Sequence, residues 1–450
     1  MPHVNYRSAG AGRTAVHYTL GALTADAARG HEGDVRRVRN LLLERRDFEA
    51  LNRCASAVAV TDRFRDVIRT FGVPEGEIPA GFRIESSLEP DGLLSVDLVR
   101  DIGFDGNGVR RPTGVVYSAD SANPYEVAPV AGLLGNLTCN PGIVYDLFIN
   151  NPEANVGRKF HTLEEVMTEL GDVLGPGCDV SVEIENPFEP DFDKILDEIA
   201  VYREILSPYR LVVKVPHTGP VNAGNVHELM SGDRKLGAHY ASPSTPDAFR
   251  SHTLALALRE HGYRVNYTLM FEPYQSALAL QAKPYFINSF IRHRLSQARH
   301  VRDLVASYRA TRDRSRLEQL RTFLVDTDHL SASGGDRELI DVLHYGEDLV
   351  SYRHLNDAEG WDGLDAVRHN LRLLKQSHLP DTRLIVCSME GANYRDLDKL
   401  MTDPEFADVV DRLVITAEPE YLARFASANQ VVSYQRRFMN AAATAPVGHD

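Results

Sequence analysis

From Gly114 onward, short apolar runs alternate with helical stretches, and this alternation limits what the chain can fold into more than any other feature. The strand-like runs are 114–120, 134–138, 178–185, 210–216, 263–271, 285–290, 382–388 and 411–417. Helical patterns lie between them, for example over 158–174, 191–205, 246–260 and 274–282. Strand–helix alternation implies parallel strands joined by right-handed crossovers. Eight such units predict an α/β fold of the (β/α)8 (TIM barrel) type, spanning 111–450 with insertions. A doubly wound open sheet is the alternative. No glycine-rich phosphate loop follows the first strand, and Ser8-Ala9-Gly10-Ala11-Gly12 is too short and too early to be one.

Two connections exceed what a plain barrel needs: 217–245 after strand four, and 292–381 after strand six. The second is expected to form an inserted helical segment. Residues 1–110 read as a mainly helical N-terminal extension. One helical stretch runs from Glu32 through Leu51, and a second from Thr61 to Phe71.

Strand four carries the chemical signal. Leu211-Val212-Val213-Lys214-Val215-Pro216 reads as a buried strand, yet it holds one of only seven lysines, against 42 arginines. Desolvation disfavours an ammonium, so a buried lysine can become a nucleophilic amine, which an arginine cannot. The competing reading is a strand-end lysine that snorkels to solvent or pairs with a carboxylate.

Side chains alternate faces along a strand, so each strand offers one inward set. Val212 shares a face with Lys214, Ser181 with Glu183, Asn266 with Thr268, Ser118 with Asp120, and Val386 with Ser388. Strand two ends at Thr138-Cys139-Asn140-Pro141. The C-terminal ends of several strands thus present small polar or acidic groups around one lysine, at the rim where barrel enzymes keep their catalytic residues. An amine attacking a ketone needs a neutral lysine, and burial favours that form. Dehydrating the carbinolamine needs a proton shuttle, a role that suits Glu183 and Thr268. C–C cleavage needs a base for a hydroxyl proton, which suits Asp120. Asn140, Asn266 and Ser388 suit the hydroxyls of a polyol, with Ser181 and Asn288 as further candidate substrate contacts. Each residue also has a local explanation: Asp120 as a helix cap, Thr268 as a β-former, Asn140 as a turn former.

These residues resemble the transaldolase family. The resemblance lies in Asp120-Ser121-Ala122-Asn123, Thr138-Cys139-Asn140-Pro141-Gly142, Val180-Ser181-Val182-Glu183, Val213-Lys214-Val215-Pro216 and Asn266-Tyr267-Thr268-Leu269-Met270-Phe271, followed by Gln275-Ser276-Ala277. Order and spacing agree over roughly 114–290 and again over 383–425. The resemblance implies a class I aldolase-type barrel. Lys214 would be its Schiff-base nucleophile, Glu183 and Thr268 would assist imine formation, and Asp120 would be its acid/base. Asn140 and Asn266 would hold the donor's hydroxyls. Such enzymes transfer a dihydroxyacetone unit from a ketose phosphate to an aldose phosphate, without cofactor or metal.

The phosphate-binding segments depart from the family pattern. The segment after strand six, Asn288-Ser289-Phe290-Ile291-Arg292-His293-Arg294, places His293 where the family has arginine, with Arg292 and Arg294 beside it. After strand seven, Ser388-Met389-Glu390-Gly391-Ala392-Asn393 puts Glu390 at the second phosphate arginine without a gap, or Ala392 with a two-residue shift, so that arginine is missing either way. A carboxylate near a phosphate repels it. A ketose whose far end is not an ordinary phosphate is therefore expected. The rival readings are an aldolase or dehydratase using the same lysine without transfer, and a catalytically idle barrel acting as a scaffold.

A net charge of −14 argues against nucleic-acid and anionic-membrane partners. The expected partners are small sugar or sugar-phosphate substrates, and the assembly considered is a homodimer. The four cysteines show no metal-ligand spacing and read as reduced thiols. With no visible signal peptide and no membrane-length apolar run, a cytoplasmic protein is expected.

Overall fold

The computed structural model describes residues 5–9, 13–237, 243–291, 293–331, 337–355, 357–388 and 394–443. Its centre is a closed barrel of eight parallel strands in chain order, surrounded by helices. The strands are Val116–Asp120, Leu134–Cys139, Asp179–Glu183, Leu211–Pro216, Val265–Thr268, Phe286–Ile291, Arg383–Ser388 and Leu413–Ala417. All eight coincide with the expected runs. Strand eight pairs with strand one through Val116↔Val414 and closes the ring. Two-sided burial explains the near-continuous apolar sequence of these strands. Val180, Val182, Val213, Val215, Val265 and Tyr267 pack outward against the helices.

The barrel floor is sealed from below. Val116, Val212, Phe286, Ile385 and Val414 form an apolar layer that also contains Ile102, which precedes the barrel. Gly135 makes this approach possible. A Cβ there would lie 2.5 Å from Val116 Cγ1 and 3.2 Å from the Ile102 carbonyl oxygen.

The N-terminal region is not mainly helical, contrary to the sequence expectation. Four strands form a sheet in the order Asp26–Ala27, Ala57–Val60, Leu93–Arg100, Phe82–Leu88. A second sheet joins Asn5–Ala9, Arg13–Thr19 and Leu42–Leu43. The expected helix through Leu51 is two helices, Glu32–Val38 and Arg45–Cys54, broken by the short strand Leu42–Leu43. The Asp62–Phe71 helix is present, capped by the Thr61 hydroxyl accepting from Phe64 N–H at 3.1 Å. Phe64, Val67, Phe82, Leu94, Val96 and Leu98 give this region its own core.

Polar contacts fasten it to the barrel. Tyr209 of the barrel donates to Asp66 at 2.7 Å and packs edge-on against Phe82. Fully buried Asp179, at the start of strand three, pairs with Arg100 at 2.8 Å and Arg264 at 2.7 Å. Truncating Asp179 to alanine would strand two buried guanidinium groups side by side. Breaking a buried ion network from one side costs about 3–5 kcal/mol. Asp179→Ala is therefore expected to lower the urea midpoint substantially, whereas the exposed ion-pair variant Glu49→Ala leaves it nearly unchanged.

The 292–381 insertion is helical, as expected. Helices His293–Thr311, Ser315–Asp326 and Leu339–Tyr352 enclose a small core of Leu295, Val301, Leu320, Leu324, Val342 and Leu343. The helix Asp365–Gln376 instead packs on the barrel. The other insertion reaches this one, with Lys235 donating to the Val325 carbonyl at 2.8 Å. Both insertions follow C-terminal strand ends, so both rise from the face that carries Lys214. Among the described residues no helix is long and apolar enough to cross a membrane.

Candidate active site

Parallel register brings the inward residues to one level. Glu183 pairs with Lys214, Lys214 with Asn266, and Pro216 with Thr268; Asp120 pairs with Thr138, and Thr138 with Ser181. Below them a hydrogen-bonded belt ties four strands together. Asn136 Nδ2 donates to Ser118 Oγ at 2.9 Å, and Thr416 Oγ1 donates to the same oxygen at 2.9 Å. Ser181 Oγ donates to Asn136 Oδ1 at 3.2 Å. Ser181 thus belongs to the belt, and the expected substrate role is corrected to a structural one.

Lys214 rises from this belt. Its Nζ lies 3.0 Å from Glu183 Oε2 and donates to the Cys139 carbonyl at 3.5 Å. Both side chains are nearly enclosed, at 8% and 12% exposure, so the lysine does not snorkel to bulk solvent. Burial pushes the ammonium's pKa down, but Glu183 and Asp120 outweigh it and hold the value above that of an ordinary lysine. Burial does not leave this amine neutral, which corrects the sequence expectation. A proton must leave Nζ before it can act as a nucleophile, and Glu183 is placed to accept it.

Asp120 faces the same space. Burial raises its carboxyl pKa, Lys214 offsets part of that shift, and Glu418 and Glu183 add to it. Its Oδ1 has no hydrogen-bond partner among the described residues. The same holds for Thr138 Oγ1, Asn288 Oδ1 and both side-chain polar atoms of Asn266. Asn266 is fully buried. An unpartnered buried amide costs roughly 1–3 kcal/mol. These unpartnered groups stand on strands one, two, five and six around the Lys214 strand and match the hydroxyl groups of a polyol. Thr268 Oγ1 accepts from Asn288 Nδ2 at 2.8 Å, and its own hydroxyl hydrogen remains to be placed.

The other sequence-predicted residues separate into three groups. Asn140 does local work, its Oδ1 accepting from Ile143 N–H at 2.9 Å at the head of the Gly142–Ile149 helix. Arg294 is committed elsewhere. It is buried and paired with Asp365 at 2.6 Å and Glu272 at 3.0 Å, and Arg353 pairs with the same Glu272 at 2.8 Å. It anchors the inserted helices to the barrel and is corrected from a substrate contact to a scaffold ion pair. His293 sits against Phe271 with ring centroids 5.4 Å apart, and Phe271 stacks on Phe290 at 4.7 Å. Arg292 and Glu390 lie outside the described residues, as does the side chain of Ser388.

Strand seven differs in which face looks inward. Ile385 belongs to the floor layer, while Val386 packs against the helices. The expected pairing of Val386 with Ser388 on the inward face is therefore corrected. Cys387 takes that place: it is buried, and its titration is influenced by both Asp120 and Lys214. Thr138 and Cys387 are inward residues that the sequence reading did not single out. The signal for Thr138 was present, since it lies two residues past Asn136 on the same face. Half-buried His217 packs against Tyr267, and desolvation holds its pKa down at about 4, so it is neutral.

A cavity of about 280 Å³ opens beside Asp120. Among the described residues its lining includes Glu126, Glu418 and Glu420 and no lysine, arginine or histidine, Lys214 included. Among the described residues no cluster of His, Cys, Asp and Glu has a metal-binding arrangement. No protein-family model matches the chain, and no curated protein matches it, so the likeness to transaldolases rests on the motifs themselves.

Proposed function

We propose that the chain is a transaldolase-like enzyme that forms a Schiff base through Lys214 and transfers a dihydroxyacetone unit from a ketose to an aldehyde acceptor. One observation carries the reading: a buried lysine 3.0 Å from a carboxylate, ringed by buried polar atoms without partners. A purely structural lysine–glutamate pair does not need an unpaired Asn266 on the next strand.

In this reading Glu183 accepts a proton from the Lys214 ammonium. The freed amine adds to the ketose carbonyl to give a carbinolamine. Glu183 then returns the proton as water leaves, with Thr268 and Asn288 positioning that water, and an iminium forms. Asp120 removes the proton from the hydroxyl on the far carbon of the bond to be cleaved. The C–C bond breaks, an aldehyde departs, and the electron pair is held as an enamine on Lys214. Addition of the enamine to an acceptor aldehyde and hydrolysis of the iminium complete the transfer. Asn266 and Thr138 suit the hydroxyls of the bound fragment.

The carboxylate-lined cavity beside Asp120 supports a donor with little negative charge there. Arg294 is already neutralised within the protein, so it is not available as a phosphate ligand. Uncharged or weakly anionic ketoses are the substrates this favours.

The test is product analysis with a panel of phosphorylated and unphosphorylated ketoses, with and without an acceptor aldehyde. Transfer predicts a new ketose that appears only when acceptor is present, and faster turnover of unphosphorylated donors. Release of free dihydroxyacetone at the same rate without acceptor would replace transfer with an aldolase reaction.

A further inference from the structure

The end of the barrel opposite Lys214 holds a second cavity, of about 400 Å³, between the N-terminal region and the barrel floor. Six arginines line it, against three aspartates, in a chain of net −14; Arg100 is paired with Asp179, and Arg83 with Glu85 and Asp381, so that among the described residues Arg110, Arg111 and Arg412 are the lining guanidinium groups outside ion pairs. Arg83, Arg100, Arg110 and Arg111 come from the N-terminal side, and Arg383 and Arg412 from the barrel's lower loops.

The aspartates do not neutralise all of them. Asp101 is shared by Arg83 at 3.0 Å and Arg383 at 2.8 Å. Arg111 is held instead by main-chain carbonyls, those of Ile102 and Leu134 at 2.9 Å each. Arg412 is held the same way, by the carbonyls of Thr382 at 2.8 Å, Leu374 at 2.9 Å and Leu379 at 2.7 Å. Carbonyl dipoles fix these guanidinium groups in place but do not cancel their charge. Burial pushes both below the ordinary arginine value, and the nearby carboxylates, Asp105 for Arg111 and Asp411 and Asp381 for Arg412, offset that only in part. Arg110 is exposed at the mouth, over the Phe104 ring at 5.6 Å.

Guanidinium groups fixed in position match phosphate oxygens in charge and geometry. One phosphate carries about −1.5 to −2 near neutral pH and would leave positive charge uncancelled. Two joined phosphates come closer to balance. We propose that this cavity binds a diphosphate group, free or carried by a nucleoside, and that its occupancy clamps the N-terminal region to the barrel floor. The site is separate from the Lys214 centre and does not depend on the reaction proposed there.

The experiment is calorimetric titration of the full chain with inorganic pyrophosphate and, separately, with ADP, at fixed ionic strength. Two variants change the mouth without touching the carbonyl-held arginines: Arg110→Glu, and Thr113→Glu on the exposed lining. The wild-type chain is expected to bind one equivalent of probe and to melt at a higher temperature when bound. Each variant is expected to weaken binding about tenfold or more, because a carboxylate facing the anion replaces a cation or a neutral group. Its melting temperature without probe should be unchanged. Tighter binding of ADP would identify a nucleotide as the source, and tighter binding of pyrophosphate a free diphosphate. No binding of either probe at millimolar concentration would overturn the proposal. So would binding that both variants leave intact, which would place the anion elsewhere, such as the Lys214 end.

Discussion

Lys214→Met is expected to abolish adduct formation with any ketose and to lower turnover by a factor on the order of 10⁴ or more, as loss of a covalent nucleophile does. Methionine keeps the volume and removes the amine. The substitution also leaves Glu183 and Asp120 without their shared cation. In the folded protein Asp120, whose carboxyl pKa burial already raises, then loses the lysine that offset part of that rise. A carboxyl group with a raised folded pKa stabilises the fold at low pH, and that contribution disappears as pH rises through the folded value. The melting temperature of Lys214→Met should therefore fall further below wild type as pH rises from about 4, the unfolded carboxyl value. In the wild type the raised lysine pKa works on a different range. Its contribution is fully present below about 10.4 and is lost only as pH rises through the folded value. A variant that keeps full turnover would exclude Lys214 as the nucleophile. A melting gap independent of pH would show that the Asp120 carboxyl does not depend on the lysine.

Glu183→Gln carries the second large effect. The amide keeps the shape and removes the charge 3.0 Å from Nζ. After burial, Glu183 is the strongest influence on Lys214 and acts to raise its pKa. Removing it lets burial dominate, and the lysine pKa falls. The alkaline pH dependence of imine formation should shift toward lower pH, because the amine becomes neutral earlier. The rate should still fall, by about 10²–10⁴, because glutamine cannot return a proton to the departing water. These two changes point in opposite directions for a simple nucleophile and together for a proton shuttle. Stopped-flow trapping rates across a pH series separate them. A shifted profile with an undiminished maximum would mean that Glu183 tunes the lysine without moving protons.

Much of the barrel was legible because parallel strands covered on both faces must be apolar throughout, and eight such runs at regular spacing leave few topologies. The Lys214–Glu183 pair was legible for a related reason: inward polar residues on adjacent strands stand out against valine and isoleucine. Three misreadings have physical causes. Strand parity is unforgiving: Val386 was taken as inward, whereas Ile385 joins the floor layer and Val386 packs against the helices. Arg294 looked free because the carboxylates that hold it are distant in sequence, Asp365 lying 71 residues away. The N-terminal sheet did carry a period-two signal, with Leu94, Val96 and Leu98 buried along Leu93–Arg100, but arginine- and leucine-rich helices around it obscured the pattern. The protonation of Lys214 was also misread. Burial alone favours a neutral amine, and only the nearby carboxylates of Glu183 and Asp120 reverse the sign.

Borohydride trapping followed by intact-mass and peptide analysis tests Schiff-base chemistry at Lys214 most directly. The wild-type chain is offered dihydroxyacetone, unphosphorylated ketoses and ketose phosphates in parallel. The expected result is a single reduced adduct on the peptide containing Lys214, formed with at least one ketose and absent in Lys214→Met. The contradicting result is a folded protein that yields no adduct with any ketose, or an adduct that maps to another of its lysines.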